Sequence, residues 1–159
     1  MHLDGSKGAY EVVNTNSAQT DFLRLIRQLD DDLTSRNGAM QKQYDGYNAL
    51  DHINDVVLVY KDCIAVACGA FKEFSADTVE IKRMFVANGY RRQGFARKVL
   101  SVLESTAGER GYKYAVLETG VKQVEAINLY RSLGYVQVEN YGPYAGNANS
   151  ICMKKEFTP

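Results

Sequence analysis

The sequence of 159 residues has no tryptophan, two prolines and no apolar run long enough to cross a bilayer. Its 19 basic residues equal its 19 acidic ones, so no net positive field draws nucleic acid to it over long range. Residues 1–8 are polar and lack the apolar stretch of a signal peptide. These absences predict a cytoplasmic protein whose partners are neither nucleic acid nor membrane.

Residues that bind metals or form disulfides are also few. The three cysteines, Cys63, Cys68 and Cys152, form no CxxC pair and no cluster with histidine, which predicts reduced thiols with a structural role. His2 and His52 lack the spacing of metal ligands, so we expect no metal site. Neither histidine is placed to activate a cysteine, so covalent catalysis through a thiol is not expected.

Hydrophobic residues make up 45% of the chain, which is enough for one core and predicts a single domain over residues 1–159. The terminus from Met1 to Lys7 is expected to be disordered. Strand and helix patterns alternate along the sequence. They predict an α/β fold with a central mixed, mostly antiparallel sheet flanked by helices.

The first part of the chain predicts one strand and one clear helix. Residues Tyr10–Val13 form a short β pattern. A helix follows, with a cap at Asn16, Ser17 or Thr20, and is expected to end near Asp30–Asp32. A second helix and a loop are expected between Asn37 and Asn54. The apolar stripe of the first helix consists of Phe22, Leu25, Ile26 and Leu29.

In the remainder of the chain, the boundaries between predicted elements are marked more clearly. An antiparallel hairpin is followed by a third strand, an amphipathic helix that Gly111 ends, a strand, a short helix and a closing pair of strands. The helix that precedes Gly111 carries an apolar stripe of Ala96, Val99, Leu100, Leu103 and Ala107. The other predicted ranges are Val56–Tyr60, Ile64–Phe71, Thr78–Val86, Tyr114–Thr119, Val124–Ser132, Tyr135–Glu139 and Ser150–Lys154.

The loop between the third strand and the amphipathic helix has the character of an anion site. The first N–H groups of a helix lack partners within the helix, and the helix dipole makes that end positive. Gly94 permits close approach of a ligand to the backbone, and Arg91 and Arg92 add mobile positive charge. The chain contains neither GxxxxGK[ST] nor GxGxxG at a junction of strand and helix. The pyrophosphate of an acyl-CoA is therefore the better candidate.

These segments resemble the GNAT superfamily of N-acetyltransferases. The family signature [QR]xxGx[GA] is matched by Arg91, Gly94 and Ala96 between a strand and a helix. The preceding strand, Glu80–Val86, and the segment Ala126–Tyr135, which reads AINLYRSLGY, are similar to two further parts of the family pattern. The resemblance extends from Val66 to Tyr135, about half of the chain.

The resemblance implies a GNAT-like fold with acetyl-CoA as cosubstrate and no metal. The implied pyrophosphate site is the backbone of the loop, and the implied pantetheine site is the edge of the preceding strand. In this reading the Met84 N–H faces the thioester oxygen. Gln123 stands where many members of the family have asparagine, which weakens one cofactor contact. The implied cofactor-binding residues are Met84, Phe85, Val86, Arg91, Arg92, Gln93, Gly94, Phe95, Ala96 and Gln123.

Two residues are implied to be catalytic. Tyr130 would protonate the departing thiolate, unless it only packs in the core. Glu80 lies eleven residues before Arg91, the spacing of the base in the branch of the family that acetylates protein lysines. The alternative for Glu80 is an edge or surface carboxylate paired with Lys82 or Arg83. Glu118 is the competing base, on a strand expected to splay away from the cofactor strand.

The implied activity is acetyl transfer to a primary amine by direct attack in a ternary complex. The acceptor is either a small amine or amino acid, or a protein lysine or N-terminus. Four tyrosines favour a small, aromatic-lined pocket. A catalytically silent sensor that binds acyl-CoA is the alternative outside enzymes. The tyrosines in question are Tyr44, Tyr47, Tyr141 and Tyr144.

Overall fold

The computed structural model describes residues 2–4, 9–37 and 53–157. In these ranges the chain forms eight strands, three α-helices and one 3₁₀ turn. The strands are β1 His2–Asp4, β2 Tyr10–Thr15, β3 Asp55–Lys61, β4 Ile64–Ser75, β5 Thr78–Val86, β6 Tyr114–Gly120, β7 Val136–Val138 and β8 Ser150–Glu156. The helices are α1 Thr20–Asn37, α2 Phe95–Glu109 and α3 Val124–Ser132, and the 3₁₀ turn is Gly142–Tyr144.

The strands form one sheet in the order β1-β2-β3-β4-β5-β6-β8-β7. Every neighbouring pair is antiparallel except β5 and β6, which run parallel. The connection between these two strands contains α2, as a parallel pair requires a crossover. The prediction of a mixed, mostly antiparallel sheet is confirmed.

Both faces of the sheet are covered, because alternate residues of the central strands are apolar on both sides. Val56 and Leu58 pack with α1, whereas Val57 and Val59 belong to the core cluster that contains α2. A strand with this pattern is buried on both faces. The helices therefore fix β4 and β5 from two sides, and β5 is the strand that leads into the candidate anion loop.

Strand β5 contains a bulge that determines the shape of the site. The register against β4 shifts between Cys68↔Phe85 and Ala70↔Lys82, and Arg83 has a positive φ of 59°. A bulge adds a residue to one strand and increases its local twist. Pairing of β5 with β6 ends at Glu80↔Val116. Beyond that point the two parallel strands separate, as the predicted splay of the Glu118 strand requires.

Several predicted boundaries require correction. Helix α1 does not end near Asp30–Asp32 but continues to Asn37. The expected disorder of Met1–Lys7 is wrong for His2–Asp4, which pair with β2. Strand β4 extends beyond Phe71 to Ser75. The helix and loop predicted between Asn37 and Asn54 fall mostly on residues 38–52, which lie outside the described ranges.

The apolar stripe of α2 also differs by one residue. Phe95 is buried and packs edge-to-face on Tyr10 at 5.5 Å between ring centroids, whereas Ala96 is only partly buried. The larger ring gains more from burial than a methyl group. Phe95 thus anchors the start of α2 in the core, directly after Gly94.

Candidate functional site

A cavity of about 770 Å³ opens where β5 and β6 separate. Its walls come from both strands, the loop before α2, the start of α3 and one side of α1. The carboxyl ends of parallel strands are a common place for ligand sites, because the diverging loops leave a crevice. The predicted cofactor loop and both predicted catalytic residues meet at this cavity.

The loop before α2 has the geometry of an anion cradle. Arg92 and Gly94 have positive φ angles of 64° and 85°. Gly94 is the N-cap of α2 and supplies no side chain, so no side-chain cap occupies the first N–H groups of the helix. A Cβ built on Gly94 would meet no protein atom within 4 Å. The space at the Cβ position of Gly94 is therefore open.

Arg91 is held in place, which corrects the expectation that it is mobile. Its Nε donates a hydrogen bond to the Val86 carbonyl oxygen at 3.1 Å, and its Nη2 lies 3.7 Å from an Asp32 carboxylate oxygen. The guanidinium also lies over the Phe85 ring at 5.9 Å. Arg91 therefore ties the end of β5 to α1 and lines the cavity as a fixed charge.

The acidic run in α1 is not a helix end, because the helix continues to Asn37, although its carboxylates remain partly solvated. Asp30 accepts a hydrogen bond from Arg83 at 2.8 Å, and Asp32 lines the cavity beside Arg91. Aspartate has a low helix propensity, so three in succession predict a helix end. Ion pairs of Asp30 with Arg83 on β5, and of Asp32 with Arg91 in the loop, compensate for the low helix propensity.

The other predicted loop residues lie in different surroundings. Gln93 does not line the cavity, because its side-chain oxygen accepts a hydrogen bond from Lys61 Nζ at 3.0 Å. Arg92, Phe95 and Ala96 do line it. The Gln93 side chain therefore points toward Lys61 and not into the cavity.

Strand β5 presents a continuous wall to the cavity. Met84, Phe85 and Val86 all line it, with Phe85 packed toward α1 and the other two toward the α2 side. A Cβ built on Gly69 would lie 2.5 Å from Met84 Sδ and 2.6 Å from Val99 Cγ1. Only glycine at position 69 allows the bulged strand to sit this close to α2.

Tyr130 lies on α3 and is 7% exposed, with its ring 5.8 Å from that of Tyr135 in an edge-to-face arrangement. It lines the cavity, as does Gln123 at the N-terminus of the same helix. Burial raises the pKa of Tyr130, and the negative charge of Glu118 raises it further. The phenol is therefore protonated at neutral pH and holds a proton that it can donate.

Glu80 is 5% exposed and is not an edge or surface residue. One carboxylate oxygen accepts a hydrogen bond from the Tyr141 hydroxyl at 2.8 Å. The ammonium groups of Lys72 and Lys82 lie 3.9 and 4.0 Å from the carboxylate. The pairing with Lys82 that the sequence suggested is present, whereas Arg83 pairs with Asp30 instead. Glu80 also lines the cavity, so the ion pair does not remove it from the site.

Glu118 is a second carboxylate on the wall, across the gap on β6. It accepts a hydrogen bond from the Ser150 hydroxyl at 2.7 Å. Burial raises its pKa above the ordinary glutamate value, against the lowering effects of Ser150 and Lys82. A carboxylate whose pKa moves toward neutrality is better matched to general base catalysis than an ordinary one.

Lys82 and Tyr144 also line the cavity, and the sequence did not indicate that they would lie together. Lys82 is 6% exposed, and its Nζ lies 3.3 Å from the Tyr144 hydroxyl oxygen. Of the four tyrosines predicted to line a pocket, Tyr144 lines this cavity. Tyr141 does not line it but donates a hydrogen bond to Glu80. Tyr44 and Tyr47 lie outside the described residues. The spacing of Glu80 and Lys82 by two in a strand was the available signal, because such residues share a face.

Neither thiol nor metal chemistry is evident in the described part of the chain. Cys68 is buried, and burial raises its pKa to about 12, which makes it a poor nucleophile. Cys152 is buried too, whereas Cys63 is exposed. Over the described ranges, no three His, Cys, Asp or Glu side chains come together as metal ligands. None of the described helices is both long and apolar enough to span a membrane.

The model of the acetyltransferase (GNAT) family matches residues 21–135 of this chain. This protein belongs to the GNAT family. The match includes β5, the candidate anion loop, Tyr130 and both carboxylates, so the family resemblance read from Arg91, Gly94 and Ala96 is confirmed.

Relatives support the same placement of this GNAT chain. The uncharacterized N-acetyltransferase YsnE of Bacillus subtilis is 36% identical over 92 residues, which cover 57% of this chain and 61% of that protein. Thus the matched region spans about three fifths of this curated relative. A Klebsiella pneumoniae protein assigned as an acyl-CoA N-acyltransferase has 26% identity and a TM-score of 0.77 over 92% of this chain and 97% of that one.

A further solved structure bears on the fold alone. The GNAT acetyltransferase of Elizabethkingia anophelis, solved with acetyl-CoA bound, has 17% identity and a TM-score of 0.64. The superposition covers 93% of this chain and 98% of that one. The predicted α/β fold with a mixed sheet is therefore shared with solved GNAT structures.

Proposed function

We propose that this protein transfers an acetyl group from acetyl-CoA to a primary amine, with a small amine or amino acid as acceptor. The observation that carries the proposal is one continuous cavity lined by the anion loop, by Tyr130 and by two carboxylates. Acetyl-CoA supplies a charged pyrophosphate, a narrow pantetheine arm and a thioester. Each has a matching part of the cavity wall.

The fit of the cofactor rests on three features of this chain. The uncapped start of α2 and the open space beside Gly94 suit the pyrophosphate, with Arg91 and Arg92 as cationic neighbours. The edge of β5 beyond Glu80 is no longer paired with β6 and suits the pantetheine amides. In this proposal the Met84 N–H faces the thioester oxygen, where negative charge develops.

The transfer forms one C–N bond and breaks one C–S bond. The uncharged amine attacks the thioester carbon, the amine loses one proton to a base, and the departing thiolate gains one proton from Tyr130. Glu80 or Glu118 takes the amine proton, directly or through water. The buried, protonated phenol of Tyr130 supports its role as the acid. No redox step is involved.

A small acceptor is favoured by polar groups of the cavity wall outside the anion loop. Lys82, Glu118 and Tyr144 are charged or polar groups inside the cavity, where they can bind a compact polar molecule. A protein lysine presents only a long aliphatic arm and one ammonium group. Charged groups on the cavity wall do not stabilise such an arm, because it has no charge or hydrogen-bonding group to pair with them.

The test is thiol release from acetyl-CoA measured against a panel of primary amines, together with thermal unfolding in acetyl-CoA. Release that depends on an amine, with a product carrying one added acetyl group by mass spectrometry, supports the transferase. Stabilisation by acetyl-CoA without release for any small amine, peptide or protein N-terminus would instead identify a silent acyl-CoA sensor.

A further inference from the structure

The part of the cavity wall formed by Glu80, Lys82, Glu118 and Tyr144, here called the acceptor end, carries charges of both signs. Glu80 and Glu118 supply carboxylates from β5 and β6, and the ammonium of Lys82 lies 4.0 Å from Glu80. Lys82 is 6% exposed, so its ammonium has lost most of its hydration. Burial of a charge is unfavourable unless the charge is paired, and a ligand carboxylate would add a second anion beside Glu80 to stabilise the Lys82 ammonium.

The other cations of the cavity have different neighbours. Arg83 donates to Asp30 at 2.8 Å, and Arg91 lies 3.7 Å from Asp32. Arg92 and Arg97 belong to the loop and the first turn of α2, where the pyrophosphate is proposed to bind. Lys82 is thus the described cavity cation that lies beside the two candidate bases.

We propose that the acceptor is an amino acid, whose carboxylate binds to the Lys82 ammonium and the Tyr144 hydroxyl while its amine faces Glu80 or Glu118. This inference rests on the proposed acetyl transfer and specifies its substrate class. The Tyr144 hydroxyl lies 3.3 Å from Lys82 Nζ, so both groups can hold one carboxylate. A bound carboxylate would also oppose the lowering of the Lys82 pKa by burial, because its negative charge stabilises the ammonium.

The spacing of the charges suits a short acceptor. Glu80 and Lys82 are separated by 4.0 Å, and the short segment Tyr141–Tyr144 contacts both of them. This close spacing accommodates an α- or β-amino acid, whose amine and carboxylate are one or two carbons apart.

The experiment compares each amino acid with its carboxamide and with the amine that lacks the carboxyl group. Thiol release gives kcat/KM for each, expressed per concentration of uncharged amine because the carboxamide has the more acidic ammonium. We expect the amino acid to exceed both analogues by roughly 10- to 100-fold, the range for a hydrogen-bonded charge pair. Equal values for amino acid and carboxamide would overturn the proposal.

Lys82→Met and Lys72→Met form a matched pair of variants. Both remove an ammonium about 4 Å from Glu80, but Lys72 does not line the cavity. We expect the preference for amino acid over carboxamide to fall to near one in Lys82→Met and to persist in Lys72→Met. A preference that survives in Lys82→Met would exclude Lys82 as the carboxylate site.

The pH dependence of the wild-type preference tests the same point without a variant, in case Lys82→Met does not fold. The pKa of Lys82 is lowered by burial, against the raising effect of Glu80 and Glu118; Lys72 and Arg83 lower it further. Lys82 therefore loses its charge at a lower pH than an ordinary lysine. The ratio of amino acid to carboxamide should decline with rising pH before ordinary lysines titrate, and a constant ratio would contradict the proposal.

These outcomes are distinct from failure of the proposed function. Efficient acetylation of simple amines, with stabilisation by acetyl-CoA, would keep the transferase and reject the amino acid acceptor. No thiol release with any amine, and no stabilisation by acetyl-CoA, would reject the transferase itself and the inference with it.

Discussion

Replacing Gly94 by valine tests the anion loop most directly. The residue has a φ of 85°, and its Cβ position faces open space, so the substitution adds backbone strain and fills the volume beside the first N–H groups of α2. A β-branched residue at such an angle destabilises a fold by about 1–3 kcal/mol. In a chain of this size each kcal/mol lowers Tm by roughly 2–4 °C.

Gly111→Val provides the matched control. Gly111 follows the other end of α2, has a φ of 91°, and likewise has no atom within 4 Å of a built Cβ, but it does not line the cavity. We expect the two variants to lose similar stability in the absence of ligand. Strain alone therefore cannot explain a difference between them in acetyl-CoA binding.

The assay is thermal unfolding with and without acetyl-CoA. A ligand at one hundred times its dissociation constant adds about 2.7 kcal/mol, which corresponds to a rise of roughly 5–11 °C. The wild type and Gly111→Val should show this rise, and Gly94→Val should lose it. A full rise in Gly94→Val would refute the pyrophosphate assignment, even if the variant were as destabilised as its control.

Three further predictions concern catalysis and packing. Tyr130→Phe should lower kcat by ~10²-fold while the acetyl-CoA shift is retained, because only the proton donor is removed; unchanged turnover would leave Tyr130 as a core residue. If Glu80 is the base, Glu80→Gln should lose rate at neutral pH and recover at high pH. If Glu118 is the base instead, Glu118→Gln should be the variant that loses rate at neutral pH and recovers it at high pH. Because burial raises the pKa of Glu118, wild-type activity should then fall on acidification at a pH above the ordinary glutamate pKa. Gly69→Ala should destabilise the fold by about 1–3 kcal/mol in denaturant unfolding, because its Cβ overlaps Met84; wild-type stability would show that the bulge adjusts freely.

Local patterns were sufficient for much of the fold. The ranges Thr78–Val86 and Val124–Ser132 were predicted with the bounds that the structure has. Gly94 before an amphipathic helix indicated the candidate anion loop, and the structure gives this glycine a positive φ. Such features depend on residues that are close in sequence, so they can be predicted from the sequence alone.

Which residues meet at the acceptor end depends on the tertiary structure. Tyr141 contacts Glu80 across 61 positions of sequence, and Tyr144 contacts Lys82 across 62. Asp30 and Asp32 read as the end of a helix until β5 and its loop supply arginines as partners. The sequence determined which chemical groups the chain possesses and where the candidate cofactor loop begins. Only the bulge in β5 and its separation from β6 decided which of those groups share one cavity, because register and twist are set by packing on both faces of the sheet.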